Sequence, residues 1–303
     1  MAVVLEGGYA ITTESAGLQN TILADDDSAN DTSVEPLVLV NGLAEQAESW
    51  FANREFWSRH FAVEEPEILL YNGSALHRHI SSGGEVTVEY LTDRLAAFLE
   101  NSDLDPPYNL VGSSLGGQIA LSYAARYPQS VSRLVLLCPS GLHGEEKLPV
   151  MQGVRRSRYD SLVGSVFHSQ RFATEELVDS ITRKFRDRDW KKGVLHTLRG
   201  TVGHSVAGLL EQVHQPALTI WGAEDNVIQD VPGSIRAAAR MPGVRQTVIP
   251  GCGHAPQIER SRLVNSLVLR FLRGGLEKVP PALSPERFLA EQDDPALSGG
   301  TYE

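Results

Sequence analysis

The sequence is poor in the features that mark secreted, disulfide-rich and membrane-spanning proteins. It has two cysteines in 303 residues, too few for a disulfide framework. No apolar run approaches the length that a bilayer span requires, and the N-terminal residues lack the basic and apolar regions of a secretory signal. We therefore expect a protein that has no membrane partner and is located in the cytoplasm.

Positive charge is also scarce, with 27 Lys and Arg residues against 38 Asp and Glu residues and a formal net charge of −11. This balance disfavours a nucleic-acid partner and disfavours binding to anionic lipid. The glycine-rich segments contain neither G-x-G-x-x-G nor the lysine of a P-loop, so they do not predict a nucleotide site.

Metal-ligand patterns are missing as well. The acidic loop 25–31 lacks the D-x-D-x-D-G spacing of a calcium loop. Cys252 and His254 are too few ligands for a structural zinc site. Cys138 ends an apolar run and is expected to be a small buried hydrophobe. We therefore predict no bound metal.

What the sequence does contain is a strand, a sharp turn and a helix between Tyr108 and Tyr127. Ser114 lies at the centre of the turn in the pattern G-x-S-x-G. A Cβ at Gly112 or Gly116 would collide with the neighbouring strand or helix, and the serine would adopt a strained backbone conformation. The helix start directs N–H groups and partial positive charge at the serine, which suits an oxyanion.

Strands and helices alternate over most of the chain. Continuous apolar runs are typical of strands buried on both faces of a parallel sheet, and the alternation predicts an α/β fold with a doubly wound, mostly parallel sheet. The predicted strands of the sheet are 37–40, 68–71, 109–111, 134–137, 218–221 and 246–249. Short edge strands are expected at 2–5, 9–12 and 20–23, helices at 49–60, 86–101, 231–240 and 258–273, and a long polar loop at 72–84.

The alternation stops between residues 140 and 213, where the sequence is charged, helical in pattern and without predicted strands. Thr174 can cap a helix that runs to about Asp187, and a further helix is expected at about 190–200. We interpret this segment as an inserted helical cap. The predicted domains are a core of 1–139 and 214–275, the cap 140–213 and a tail 276–303, with a short tail helix that begins at Ser284 and Pro285.

Three residues that could carry chemistry each follow a predicted strand: Ser114, Asp225 and His254. The carboxyl ends of parallel strands meet at one edge, where open α/β sheets bind ligands. A serine hydroxyl is a weak nucleophile that needs a base, and a histidine base needs a carboxylate to orient it. Ser113 and Glu224 are the alternatives for the nucleophile and the carboxylate.

Five segments resemble the α/β-hydrolase superfamily, in its lid-bearing serine hydrolase branch. They span roughly residues 36–273 and read LVLVNGLAEQAESW, LVGSSLGGQIALSYAARYP, LVLLCPSGL, TIWGAEDNVI and GCGHAPQIE. The chain order Ser, Asp, His is also that of the superfamily.

The resemblance implies that Ser114 is the nucleophile, His254 the general base and Asp225 the orienting carboxylate. It also implies an oxyanion hole made by the backbone N–H groups of Leu43 and Leu115. Two such donors, aimed at the developing charge, are often the largest catalytic contribution. No metal or organic cofactor is implied.

The implied function is hydrolysis of a small carboxylic ester through an acyl-enzyme on Ser114, with a small-molecule ester as the partner. Ser140-Gly141-Leu142 and the loop around His254 also resemble carbon–carbon bond hydrolases of ring-cleavage products. Lactonases and haloperoxidase-like esterases share the same pattern. A ligand-binding protein on a hydrolase scaffold is the alternative from another class.

Two loops depart from the family pattern. Asn41-Gly42 stands where the family usually has His-Gly, so the way the oxyanion loop is held is open. The family's D-x-x-G-x-G loop is replaced by Asn72-Gly73-Ser74, which leaves this wall of the pocket without a predicted structure.

Overall fold

A six-stranded parallel sheet forms the centre of the structure, a computed structural model that describes residues 34–45, 47–143, 159–276, 280 and 283–293. The strand order is β2-β1-β3-β4-β5-β6, and every neighbouring pair is parallel. The strands are β1 (Pro36–Val40), β2 (Ala62–Glu64), β3 (Tyr108–Ser113), β4 (Val131–Leu137), β5 (Ala217–Gly222) and β6 (Arg245–Ile249). The predicted N-terminal edge strands and the loop 25–31 lie outside the described residues.

Helices connect the strands and cover both faces of the sheet. In chain order they are α1 (Arg54–Trp57), α2 (Ser74–Ser81), α3 (Val88–Glu100), α4 (Leu115–Arg126), α5 (Tyr159–Val166), α6 (Glu175–Arg186), α7 (Arg188–Thr201), α8 (Val231–Ala238), α9 (Pro256–Glu259), α10 (Ser261–Leu272) and α11 (Pro285–Asp293). Short 3-10 helices lie at Ala47–Trp50, Pro128–Ser130, Gln170–Phe172 and Ala207–Gln212.

Strand β1 shows how the sheet is buried on both faces. Leu37 and Leu39 belong to an apolar cluster that includes side chains of α10. Val38 and Val40 belong to a second cluster, which contains side chains of α3 and α4. All four side chains are fully buried. A strand covered on both faces requires such a continuous apolar run, and the predicted doubly wound parallel sheet is confirmed.

The predicted second strand at 68–71 is wrong. The strand that pairs with β1 is Ala62–Glu64, in the register Leu37 opposite Val63. Residues 68–71 are apolar because Ile68 and Tyr71 are buried against other parts of the molecule, and an apolar run alone does not distinguish a strand from such a segment. The predicted polar loop at 72–84 is also corrected, since it contains helix α2.

Two other helix predictions need smaller corrections. The helix expected at 49–60 is replaced by the 3-10 helix Ala47–Trp50 and the single turn α1. The closing helix is divided into α9 and α10, because Arg260 has the non-helical angles φ −130° and ψ 38°.

The helices α5, α6 and α7, which we call the cap helices, lie between β4 and β5, and no strand occurs among the described residues of that interval. As predicted, Thr174 caps α6, since its side chain accepts the N–H of Leu177 at 3.3 Å. The predicted tail helix is present as α11, with the Ser284 Oγ accepting the N–H of Arg287 at 3.3 Å. The domain boundaries stay a prediction.

Aromatic side chains hold the cap helices together and join them to the core. The ring of Phe185 stacks on Tyr159, with 4.6 Å between centroids, and meets the edge of Trp190 at 4.7 Å. Trp190 in turn contacts Tyr71, whose centroid lies 5.4 Å away. Within the described part of the chain, no helix combines the length and the apolar character needed to cross a bilayer.

Candidate active site

The turn between β3 and α4 holds Ser114 in a strained conformation. Its angles are φ 51° and ψ −117°, a region that residues with a Cβ rarely occupy. The turn is possible because two glycines allow close approach. A Cβ on Gly112 would lie 2.4 Å from the carbonyl oxygen of Gly116, and a Cβ on Gly116 would lie 2.1 Å from that of Val40. The predicted steric role of both glycines is confirmed.

His254 and Asp225 form a buried pair at the ends of the last two strands. His254 Nδ1 lies 2.7 Å from Asp225 Oδ2, and the two side chains are 6% and 0% exposed. The other oxygen, Oδ1, accepts the N–H groups of Val227 and Ile228 at 2.8 and 3.0 Å. Because an ionised carboxylate only accepts hydrogen bonds, Nδ1 is the donor. In the neutral ring the proton is then on Nδ1, and His254 Nε2 is the nitrogen that can act as a base.

The two alternatives from the sequence have other contacts. Glu224 Oε2 accepts the backbone N–H of Cys252 at 2.9 Å, so this carboxylate holds the loop before His254 rather than the imidazole. Ser113 is fully buried, and its hydroxyl donates to Glu45 at 3.2 Å. The structure therefore brings Asp225 to His254, and it places Ser114 rather than Ser113 at the cavity described next.

A cavity of about 180 Å³ lies between the strand ends and the cap helices. Its floor, as we use the word, is formed by Leu43, Ser114, Leu115 and His254. Its roof is formed by apolar side chains from α5, α6 and the residue after α5: Leu162, Val163, Val166, Phe167, Leu177, Ile181 and Phe185. All the predicted site residues except Asp225 thus line one cavity, and Asp225 lies behind His254.

The loop 41–45, which contains the expected oxyanion donor Leu43, is held by residues that the sequence analysis did not single out. Glu45 Oε2 accepts the N–H of Gly42 at 2.9 Å, and the Tyr71 hydroxyl accepts the N–H of Ala44, also at 2.9 Å. Asn41 Oδ1 accepts the indole N–H of Trp50. These contacts explain how the loop is held without the usual histidine. Burial raises the pKa of the Glu45 carboxyl and that of the Tyr71 phenol.

Glu259 was also missed, and it joins the floor to the roof. This 5% exposed carboxylate accepts the N–H of Gly253 at 2.9 Å, and it accepts those of His168 and Ser169 at 3.0 and 3.1 Å. Beside it, the N–H of His254 donates to the carbonyl oxygen of Val166 at 2.8 Å. The only sequence signal was a glutamate five positions after the histidine.

One group of side chains has the residue types of a metal site. Donor atoms of Cys138, Asp225 and His254 lie within 4.8 Å of one another. The thiol accepts the N–H of Gly222 at 3.4 Å, and burial raises the pKa of Cys138 well above its ordinary value. Thiolate is the form that binds metals, so this environment fits a protonated thiol packed beside the Asp–His pair. The predicted burial of Cys138 is confirmed.

The amino-acid sequence is similar to those of known proteins. A model of the α/β-hydrolase family matches residues 37–267. Human monoacylglycerol lipase ABHD6 is 25% identical over 258 residues, which cover 78% of this chain and 74% of the lipase.

Solved structures of the same fold are similar at lower identity. Carboxylesterase CesB (YbfK) from Bacillus subtilis has a TM-score of 0.69 at 18% identity, covering 86% of this chain and 97% of its own. The 2-hydroxy-6-oxo-6-phenylhexa-2,4-dienoate hydrolase from Rhodococcus sp. strain RHA1 has a TM-score of 0.64 at 18% identity, covering 80% and 92%. At these identities the likeness concerns the fold.

Proposed function

The chain belongs to the α/β-hydrolase family, and we propose that it is a serine hydrolase that cleaves small carboxylic esters through an acyl-enzyme on Ser114. The observation that carries the proposal is the shared cavity. Ser114, with its strained backbone, and His254, held by Asp225 at 2.7 Å, line the same space.

In the first half of the reaction, the Ser114 hydroxyl attacks the ester carbonyl carbon while His254 Nε2 accepts its proton. The N–H groups of Leu43 and Leu115 donate to the oxyanion. Leu115 is the first residue of α4, so its N–H has no partner within the helix. The intermediate then collapses, and His254 donates its proton to the departing alcohol.

The second half repeats the same steps with water. His254 accepts a proton from water, whose oxygen attacks the acyl carbon and forms a second oxyanion in the same hole. Ser114 leaves as the free hydroxyl after it takes the proton back, and a carboxylic acid is released. Asp225 stays ionised throughout and stabilises the imidazolium in both halves.

The walls of the cavity support an ester with an apolar acyl group. The roof is made of aliphatic and aromatic side chains, and apolar pockets with few polar groups suit such ligands. Two of the similar proteins are named as a monoacylglycerol lipase and a carboxylesterase, and both names describe enzymes that act on esters.

A second candidate is carbon–carbon bond hydrolysis of ring-cleavage products. It is favoured by the structural likeness to a dienoate hydrolase, whose named substrate contains a ketone and no ester. The same serine, histidine and aspartate would serve this reaction. A panel that contains 4-nitrophenyl esters, lactones and a 2-hydroxy-6-oxo-dienoate separates this candidate and the lactonase alternative from the leading proposal.

The proposal is tested by turnover of 4-nitrophenyl butyrate and by labelling with a fluorophosphonate probe. We expect Ser114→Ala to lose both, with kcat reduced by at least about 1,000-fold. Ser113→Ala is the matched control and should keep the labelling. Labelling that persists in Ser114→Ala would move the nucleophile elsewhere. Absence of turnover in the wild type on every panel member would favour the ligand-binding protein.

A further inference from the structure

A single acidic side chain interrupts the apolar and neutral polar lining of the cavity. Among the described residues that line it, the side chains able to carry charge are Glu45 and His254. His254 has its place in the proposed reaction, whereas Glu45 has none. A carboxylate costs free energy in an apolar cavity unless it is held by hydrogen bonds or has another role.

Burial raises the pKa of the Glu45 carboxyl, and the Gly42 N–H, the charge of His254 and the Ser113 hydroxyl act against that rise by favouring the ionised form. Each of its oxygens accepts one hydrogen bond: Oε2 from the Gly42 N–H at 2.9 Å, and Oε1 from the Ser113 hydroxyl at 3.2 Å. Gln257 lies on the other side of the Ser113 hydroxyl, and its amide N–H donates to Ser113 Oγ at 3.3 Å. Ser113 thus accepts from Gln257 and donates its own proton to Glu45.

The position of Glu45 is close to the reaction. It lies two residues after the proposed oxyanion donor Leu43, and both residues line the cavity. A negative charge held there acts on any charged group that enters, because charges interact more strongly between apolar walls than in water. The formal net charge of −11 also repels anionic substrates, and it does so at longer range.

We propose that Glu45 makes the cavity select neutral esters and reject substrates that carry a carboxylate. The inference rests on the proposed ester hydrolysis and names its substrate class: neutral esters of monocarboxylic acids. Specificity of this kind comes from a repulsive element set against the wrong ligand. It also disfavours the second candidate function, because a dienoate carries a carboxylate.

The test uses two esters of nearly equal length, 4-nitrophenyl hexanoate and the mono-4-nitrophenyl ester of adipic acid. They differ in whether the end of the acyl chain is a methyl group or a carboxylate. The measured quantity is the ratio of their kcat/KM values. We expect the wild type to prefer the hexanoate by about 100-fold and Glu45→Gln to reduce this preference at least about tenfold.

Glu45→Asp is the matched control, because it keeps the charge while its shorter side chain weakens the contacts with Gly42 and Ser113. It should keep the preference even if both rates fall. A general disturbance of the oxyanion loop would lower kcat/KM for both esters together and leave the ratio unchanged. The ratio therefore separates charge selection from support of the loop.

A second measurement needs no variant. Hexanamide and the hexanoate anion differ in charge, and we expect the neutral amide to inhibit the wild type at least about tenfold more strongly. Equal inhibition by the two, or a Glu45→Gln ratio equal to that of the wild type, overturns the inference while the ester hydrolysis stands. Failure of the wild type to turn over 4-nitrophenyl hexanoate would instead overturn the proposed function.

Discussion

The floor and the roof of the cavity are built in different ways. At the floor, backbone geometry sets the positions of the side chains: Ser114 has a positive φ, and Asp225, which holds the floor residue His254 from behind, is oriented by two backbone N–H groups. On the roof, Leu177 and Ile181 are positioned only by the packing of α6 on its neighbours. The comparison indicates that chemistry depends on rigid strand ends, whereas substrate choice depends on side chains that can change without disturbing them.

The two regions are coupled where they meet. Glu259 accepts hydrogen bonds from both, through Gly253 before the histidine and through His168 and Ser169 after α5. The His254 N–H also donates to the cap at Val166. A change at this junction should therefore affect catalysis and stability together, unlike a change confined to the floor or to the roof.

The largest expected effect is at Asp225, which lies behind the floor and orients the floor residue His254. Asp225→Asn keeps the shape of the side chain but puts an amide beside the imidazole, which favours the wrong histidine tautomer. We expect kcat to fall by about 1,000- to 10,000-fold, measured with 4-nitrophenyl butyrate.

Glu224→Gln is the matched control for this variant, because the neighbouring carboxylate contacts the Cys252 N–H instead. It should keep kcat within a few-fold of the wild type. If Glu224→Gln loses more activity than Asp225→Asn, the orienting carboxylate has been assigned to the wrong residue.

An intermediate effect is expected at the junction. In Glu259→Gln one acceptor oxygen becomes an N–H₂ group, so at least one of the three backbone N–H donors loses its partner. Unfolding by urea should show a stability loss of about 1–2 kcal/mol. A displaced His254 should reduce kcat about tenfold.

Glu291→Gln removes a carboxylate from an exposed ion pair with Arg287 and should change neither quantity. If Glu259→Gln loses stability while kcat stays at the wild-type value, the junction holds the cap in place without positioning the histidine.

The smallest effect is expected on the roof. Leu177→Ala and Ile181→Ala enlarge the cavity and should shift the preference among 4-nitrophenyl esters toward longer acyl chains. The smallest effect of one methylene on specificity in an apolar pocket is about tenfold. We therefore expect the ratio of kcat/KM for long-chain to short-chain esters to rise by about three- to tenfold. Turnover of the acetate ester should change little.

Val178→Ala is the control on the same helix, since Val178 packs within the cap and does not line the cavity. A chain-length shift as large in this variant as in Ile181→Ala would show that cap stability, and not cavity shape, changes the preference.

Part of the fold and of the candidate site could be predicted from residues that are close together in the sequence. The steric need for Gly112 and Gly116 follows from a turn of a few residues, and the Thr174 cap follows from contacts three residues apart. The order of strands and helices, and the positions of Ser114, Asp225 and His254 after strands, could be predicted for the same reason. These features depend on near neighbours in the chain.

Other features were decided only by tertiary structure. The sequence predicted the second strand at 68–71, whereas the strand that pairs with β1 is 62–64. That choice depends on a partner more than 20 positions earlier. Glu224 and Asp225 are chemically alike and adjacent, so only the direction of the turn after β5 decides which carboxylate reaches the imidazole.

The side chains that support the site could not be predicted from the sequence, for the same physical reason. The Tyr71 hydroxyl reaches the backbone at Ala44, and the carboxylate of Glu259 reaches the backbone at His168 and Ser169, 91 and 90 positions away. A sequence lists which groups can donate or accept a hydrogen bond. Which of them meet depends on how the sheet and the cap helices pack, since that packing brings distant segments within bonding distance.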